Sequence, residues 1–407
     1  MAIFRTCSGL VIRCFKRVEH AADWLTGKAG PVFVFLCWTL IILGGLCFFD
    51  AVGRDLGPWS TLLLLPIFIL VPLNLYGQYY LVTHVPPGFP SSRALALSPN
   101  PLPQDIERRW FDLSTEKSLW SPERWGMRKR GRPLTSGYGH VSQQDGNEGQ
   151  DGSKRIRRCR KCDGPKPERA HHCSVCKRCI LLMDHHCPWI NACVGLHNQR
   201  HFILFMVWLS IGCWTVALLG IDKFWDSFGS IDSWPGYLPS IFFTLTWVLC
   251  IAIGFAVPIL CAWHIYMITR NETSIESHDN AYLESRAKAD GLIYLNPYDL
   301  GRRRNLNFFF NIGPDGYSKW TLLFPLVVPP ASNGWSYPRR SMPSDHHIPA
   351  TGLHAPELAD GLLAPDGVNG KQPSGGDVAE DGRIGRYVMG DHGSLTDDEE
   401  GGGGFMD

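Results

Sequence analysis

The sequence predicts an α-helical multi-pass membrane protein, with four transmembrane helices and a cytosolic zinc-stapled cysteine-rich domain between the second and the third. Two observations carry that prediction. Four blocks of the 407-residue chain are nearly free of charge: approximately Pro31–Phe49, Trp59–Val82, Phe202–Ile221 and Leu238–Ile268. Seven of the fourteen cysteines crowd into the polar stretch Cys159–Cys193, between the second and third blocks. A hydrocarbon core of about 30 Å needs roughly 20 helical residues, which each block supplies. Any one block alone is open to reading as a buried core helix, but four without an amphipathic pattern argue for membrane spans.

The first two blocks are joined by the short "DAVGRDLGP" and the last two by "DKFWDSFGSIDSWPGY", both poor in basic residues. About twenty Lys and Arg lie instead in the central segment Thr83–His201, and more in the N-terminal arm at Arg5, Arg13, Lys16, Arg17 and Lys28. Excess Lys and Arg marks the cytoplasmic side, so the central segment and both termini are expected in the cytosol, with Arg200 at the mouth of the third span in agreement. Trp59, Tyr79, Tyr80, Trp234, Tyr237 and Tyr266 suit interfacial belts. In this topology the sequon Asn271-Glu272-Thr273 is cytosolic and unused. A net charge of +1 gives no case for nucleic acid. No clean apolar h-region precedes the first span, so no cleavable signal is expected.

The expected organisation follows from these blocks. A cytosolic N-terminal arm occupies 1–30, helices one and two 31–82, a cytosolic linker 83–153, the cysteine-rich domain 154–201 and helices three and four 202–268. A C-terminal cytosolic element occupies 269–331 and a disordered tail 332–407, where Gly, Pro, Asp and Ser dominate. "SQQDGNEGQDGS", Ser142–Ser153, reads as a flexible lead into the cysteine cluster. The arm, with apolar residues among basic ones, is either a surface-lying helix on anionic lipid or an ordinary polar arm.

The cluster opens with Cys159-x2-Cys162, continues as His171-His172-Cys173-x2-Cys176-x2-Cys179 and closes with His185-His186-Cys187 and Cys193. CxxC knuckles with nearby histidines are the usual ligands of structural zinc, which takes four in a tetrahedron. The segment has almost no apolar core, so metal is its expected source of stability. Two zinc ions in three-Cys-one-His sites need six cysteines, and the cluster has seven. Cys187 stands apart from every CxxC pair and directly follows Asp184-His185-His186. Neighbouring side chains of an extended segment point to opposite sides. With His186 turned to a zinc, His185 would share the side of Cys187, with Asp184 near to orient its ring. Thiol, base and carboxylate are the parts of nucleophilic catalysis. On spacing alone the other reading stays open, that Cys187 is a spare or alternate zinc ligand.

"HHCSVCKRCILLMDHHCPWINACVGLHNQRHFILF" closely resembles the cysteine-rich domain of the DHHC-type protein S-acyltransferases, and two spans before and two after it match as well. The likeness covers roughly Pro31 to Pro325. It implies one zinc held by Cys159, Cys162, His172 and Cys179 and another by Cys173, Cys176, His186 and Cys193, both structural. It also implies Cys187 as the acyl-carrying nucleophile, His185 as its base and Asp184 as the orienter. Thr273-Ser274-Ile275-Glu276 stands where the family has Thr-Thr-x-Glu, and serine keeps the hydroxyl while losing a methyl. Asn296-Pro297-Tyr298, Gly301 and Asn305 resemble the family's C-terminal aromatic element, with Asn305 as a buried structural asparagine. Phe308–Phe310 reads as membrane-interface packing.

The implied activity is protein S-palmitoylation by a ping-pong route, with palmitoyl-CoA or another long-chain acyl-CoA as co-substrate. The implied partners are the lipid bilayer and membrane-associated proteins bearing cytosolic cysteines, and the implied location is the endoplasmic reticulum or Golgi. Arg158, Arg160, Lys166, Arg169 and His171 are candidate contacts for the CoA phosphates, or simply solvated charges. The rival readings are a non-enzymatic membrane-anchored zinc-finger adaptor, which has no use for an unliganded Cys beside Asp-His, and a transporter. A transporter's spans carry buried ionisable residues; these have almost none, His264 excepted.

Overall fold

The computed structural model describes residues 2–90, 112–115, 117–127, 157–229, 234–340 and 386–389. The linker expected at Ser142–Ser153 and most of the tail expected at 332–407 lie outside them. Among the described residues four helices are long and apolar enough to cross a membrane: α1 (Ala2–Ala51, apolar from Ala21), α2 (Pro58–His84), α3 (Gln199–Leu219) and α5 (Ser240–Thr269). Large apolar side chains such as Phe35, Leu63, Leu245 and Ile259 are exposed on their outer faces, the surface expected of helices in lipid. The protein is therefore an integral membrane protein. The N-terminal arm is helical and runs unbroken into the first span, with Pro31 inside α1 rather than at its start.

The chain forms two compact units, Met1–Tyr266 with Asn307–Ser336, and Met267–Leu306 with Tyr337–Asp407. In the first unit the two short connections meet at one end of the bundle. Asp50 Oδ2 accepts the Leu238 N–H at 2.8 Å, Arg54 donates to the Pro235 carbonyl at 3.2 Å and its guanidinium lies 3.6 Å from the Tyr237 ring centroid. Lys223, on the short helix α4 (Ile221–Asp226), pairs with Asp55. Beneath this lock Cys47, Phe48, Ala51, Val52 and Phe243 form a buried cluster, packed by Phe68, Trp234 and Trp247.

Asn74, Gln78, Arg200 and His201, polar residues in the apolar helices, are buried and have defined partners. Asn74 Nδ2 donates to the Leu323 carbonyl at 2.8 Å, and Gln78 Oε1 meets His201 Nδ1 at 2.8 Å. Arg200, expected to mark the cytoplasmic flank of the third span, is in fact buried. Its guanidinium binds the Phe310 and Thr321 carbonyls and the Thr321 hydroxyl, so its charge clamps the segment after α7 (Arg302–Phe310) to α3. Buried charge is tolerated where such acceptors replace water. Phe310 packs with Val71, Leu204 and Trp208. The same segment approaches α2 so closely that a Cβ on Gly77 would lie 2.5 Å from Pro325. Packing continues past Ser332, whose hydroxyl donates to the Ser336 carbonyl and accepts the Gly334 N–H.

In the second unit, α6 (Ser274–Ala289) begins with a capping box. Thr273 accepts the Glu276 N–H at 3.3 Å and Glu276 Oε2 accepts the Thr273 N–H at 3.0 Å, two otherwise orphaned donors satisfied reciprocally. The motif carrying serine in place of the second threonine is thus intact as a cap. Asn305 is buried and ties Thr269 O, Asp299 and the Leu300 N–H together, as expected of a structural asparagine. Asn296 similarly joins Arg270 O to the Tyr298 N–H. One short strand, Leu292–Leu295, pairs in parallel with Arg386–Met389.

Gly77→Ala should lower the thermal unfolding midpoint in detergent, since an overpacked site typically costs about 1–3 kcal/mol. Gly57→Ala, where a Cβ meets nothing within 4 Å, should leave the midpoint unchanged. Equal midpoints would contradict the close approach.

Candidate active site and metal centres

Six three-residue strands build the cysteine-rich region as three antiparallel hairpins: β1 (Arg157–Cys159) with β2 (Gly164–Lys166), β3 (His171–Cys173) with β4 (Arg178–Ile180), and β5 (His185–Cys187) with β6 (Ala192–Val194). Residues opposite each other on a ladder share a face, and successive residues alternate. His172 stands opposite Cys179 and His186 opposite Cys193. Each such pair joins a knuckle, and two donor sets result: Cys159, Cys162, His172 and Cys179, and Cys173, Cys176, His186 and Cys193. The sets interleave because β3 sends His172 to one face and Cys173 to the other. Asp163 and Lys177, each directly after a knuckle's second cysteine, adopt left-handed φ of 48° and 56° that turn the chain back.

Both sets fit a tetrahedral ion. His172 Nδ1 lies 3.6 Å from Cys159 Sγ and 3.1 Å from Cys162 Sγ. His186 Nδ1 lies 3.8, 3.3 and 3.6 Å from the sulfurs of Cys173, Cys176 and Cys193. Bonds of about 2.3 Å to sulfur and 2.0–2.1 Å to nitrogen place such donors roughly 3.6 Å apart. Each set can hold a metal ion with four protein ligands and no position left open.

Cys187 belongs to neither set. On β5, His186 turns to the second metal set while His185 and Cys187 share the opposite face. His185 Nδ1 donates to Asp184 Oδ2 at 2.7 Å, and His185 lines the same cavity as Cys187. Burial works against protonating this ring. The bond to Asp184 and the charge of that carboxylate, with the neighbouring Cys187 sulfur adding to them, outweigh it and hold the imidazole up at about 9. Asp184 is fixed by its own backbone N–H to the Val194 carbonyl at 3.0 Å. The whole domain is stitched to the end of α2, with Leu181 N–H on Gly88 O and His197 N–H on Pro87 O, both at 3.0 Å.

Cys187 and His185 line a cavity of about 860 Å³ among α1, α2, α3 and α5, walled almost wholly by apolar groups. Its α1 lining runs from Cys37 to Phe49, roughly 18 Å of helix at 1.5 Å per residue. Sequence reasoning missed the residues that seat this loop on the bundle. The Tyr79 hydroxyl donates to the Trp189 carbonyl at 2.9 Å, the Phe33 and Trp189 rings stand 5.0 Å apart, and a Cβ on Gly30 would overlap Asn191. Of the expected CoA contacts, Arg158 is exposed and bound to Asp163 at 3.0 Å, and Arg160 is also exposed. Lys166, Arg169 and His171 are buried.

The chain matches the family model described as DHHC palmitoyltransferase over residues 152–281. It is 32% identical over 224 residues to palmitoyltransferase ZDHHC16A of Danio rerio, an alignment spanning 44% of this chain and 58% of that protein. It is 41% identical over 148 residues to palmitoyltransferase pfa3 of Emericella nidulans, spanning 34% of this chain and 28% of the relative. With the probable protein S-acyltransferase 16 of Arabidopsis thaliana the figures are 39% over 161 residues, 39% and 55%. The chain thus spans about half the length of these relatives, or less.

Elemental analysis should find two metal ions per chain. Cys179→Ser and Cys193→Ser should each reduce that number, and Cys187→Ser should leave two. Loss of metal with Cys187 would contradict the ligand sets.

Proposed function

We propose that the protein is a protein S-palmitoyltransferase. It would move a long-chain acyl group from acyl-CoA to cysteine thiols of membrane-associated proteins, through an S-acyl intermediate on Cys187. One observation carries the reading: the one cysteine of the Cys159–Cys193 cluster left out of both donor sets shares a face of its strand with His185, and both line an apolar cavity among four membrane-length helices. A zinc-finger adaptor needs neither the thiol–imidazole pair nor the cavity.

In the proposed reaction the acyl chain lies in the cavity, where each buried methylene gains about 0.8 kcal/mol, with the thioester carbon beside Cys187. His185, held by Asp184, takes the thiol proton, and the thiolate attacks the carbonyl carbon. The C–S bond to CoA breaks, CoA leaves as a thiol with that proton, and Cys187 carries the acyl group. An acceptor cysteine then attacks the new thioester and restores Cys187. One thioester replaces another at each step, so positioning and thiolate formation account for most of the catalysis. Zinc in both sets would be structural: it would hold the β5 loop in shape. Arg158, Lys166, Arg169 and His171 are proposed to face the CoA phosphates, Arg158 being the open one. The excess of basic residues supports a cytosolic position for both termini and the cysteine-rich domain, and the endoplasmic reticulum or Golgi is the proposed location.

Full-length protein in detergent, given an alkyne-tagged palmitoyl-CoA, should acquire a hydroxylamine-labile label on Cys187. Cys187→Ser should abolish it with the fold intact, and His185→Ala should slow labelling by about 100-fold or more. A label that survives Cys187→Ser would overturn the reading.

A further inference from the structure

The mechanism above leaves His264 unused, although it is the one histidine inside the fourth span. It sits on α5 near its end at Thr269, and it is 9% exposed. Its Nδ1 lies 3.7 Å from Asp184 Oδ2, the same oxygen that His185 Nδ1 holds at 2.7 Å. The rings of His264 and His185 are 5.7 Å apart, and Phe202 packs edge-on against both, at 5.5 and 5.3 Å. Asp184 is itself buried. A carboxylate taken out of water must recover its solvation from nearby donors or cations, and a carboxylate oxygen has room for two. His264 is the group that a membrane helix brings to this oxygen. At 3.7 Å its Nδ1 is beyond hydrogen-bond distance, so the ring faces the carboxylate as a neighbouring dipole and leaves the His185 bond in place.

Resting on the function proposed above, we propose that His264 is a positioning residue for acyl transfer. From the fourth membrane helix it keeps Asp184 Oδ2 against His185, and His185 against Cys187, without touching the acyl group. The DHHC loop then works at full rate only when it is seated on that helix. A different use is a third metal site, since donor atoms of Asp184, His185 and His264 lie within 4.8 Å of one another. The 2.7 Å bond between Asp184 and His185 already occupies the facing atoms, which favours positioning.

The test compares His264→Leu with His264→Gln, whose amide N–H reaches about as far, and His264→Asn, which is too short. Three quantities are measured on full-length protein in detergent: the single-turnover rate of Cys187 acylation by palmitoyl-CoA, the KM for palmitoyl-CoA, and the rate at which iodoacetamide alkylates Cys187. Leu and Asn should slow both rates by about 10-fold, the usual effect of losing an orienting partner, with KM unchanged. Gln should stay within about threefold of the parent on the same scale, and all should hold two metal ions. A wild-type rate in the Leu variant, a well-folded Gln variant as slow as Leu, or a third ion lost with the histidine would overturn the proposal. If Leu does not fold, the Asn and Gln pair decides in the same way. If wild-type Cys187 takes no acyl label, the proposed function falls, while the alkylation rates still decide the role of His264.

Discussion

The period-two alternation of a three-residue strand is the constraint on which this site depends. Along β5, His186 points to a metal set and its two neighbours point the other way. Were the strand to slip by one residue against β6, His186 would lose its place opposite Cys193, and His185 would exchange faces with it. Register is set by the cysteine that completes the metal set, so the metal site and the reactive face are two consequences of one pairing. Short strands with few hydrogen bonds cannot enforce register alone; four-coordinate metal binding can, because each ligand fixes one position of the chain.

The membrane helices add what the cysteine-rich domain lacks. The domain holds Cys187 beside His185, and the bundle supplies the apolar cavity that both residues line. The joints between them are specific: the Tyr79 hydroxyl on Trp189, Phe33 against Trp189, and the backbone bonds from Pro87 and Gly88. The opposite end is closed by Asp50, Arg54 and Lys223 above a plug of Phe48 and Phe243.

Much of this was legible in the residues, for identifiable reasons. Spans are readable because lipid demands long uncharged runs, and metal binding because CxxC spacing and adjacent histidines are rare without metal, whereas the pairing into two donor sets came only from the resemblance. Counting showed that one cysteine is left over, and the resemblance, not the spacing alone, pointed to Cys187. Other features were hidden. Arg200 reads as a flanking charge until the carbonyls of Phe310 and Thr321 are brought to it from more than 100 positions away. His264 reads as a stray polar residue near a helix end until Asp184 meets it. The T-x-x-E of the capping box was visible in Thr273–Glu276, but the resemblance directed attention to its hydroxyls. Long-range placement, not local propensity, decides all but the last.

X-ray absorption at the metal edge tests the central claim most directly, because it counts ligand atoms without relying on activity. The account predicts an average shell of three sulfurs and one nitrogen per metal ion, the same in wild type and in Cys187→Ala. A shell richer in sulfur that loses intensity when Cys187 is removed would place that thiol on the metal and contradict the account.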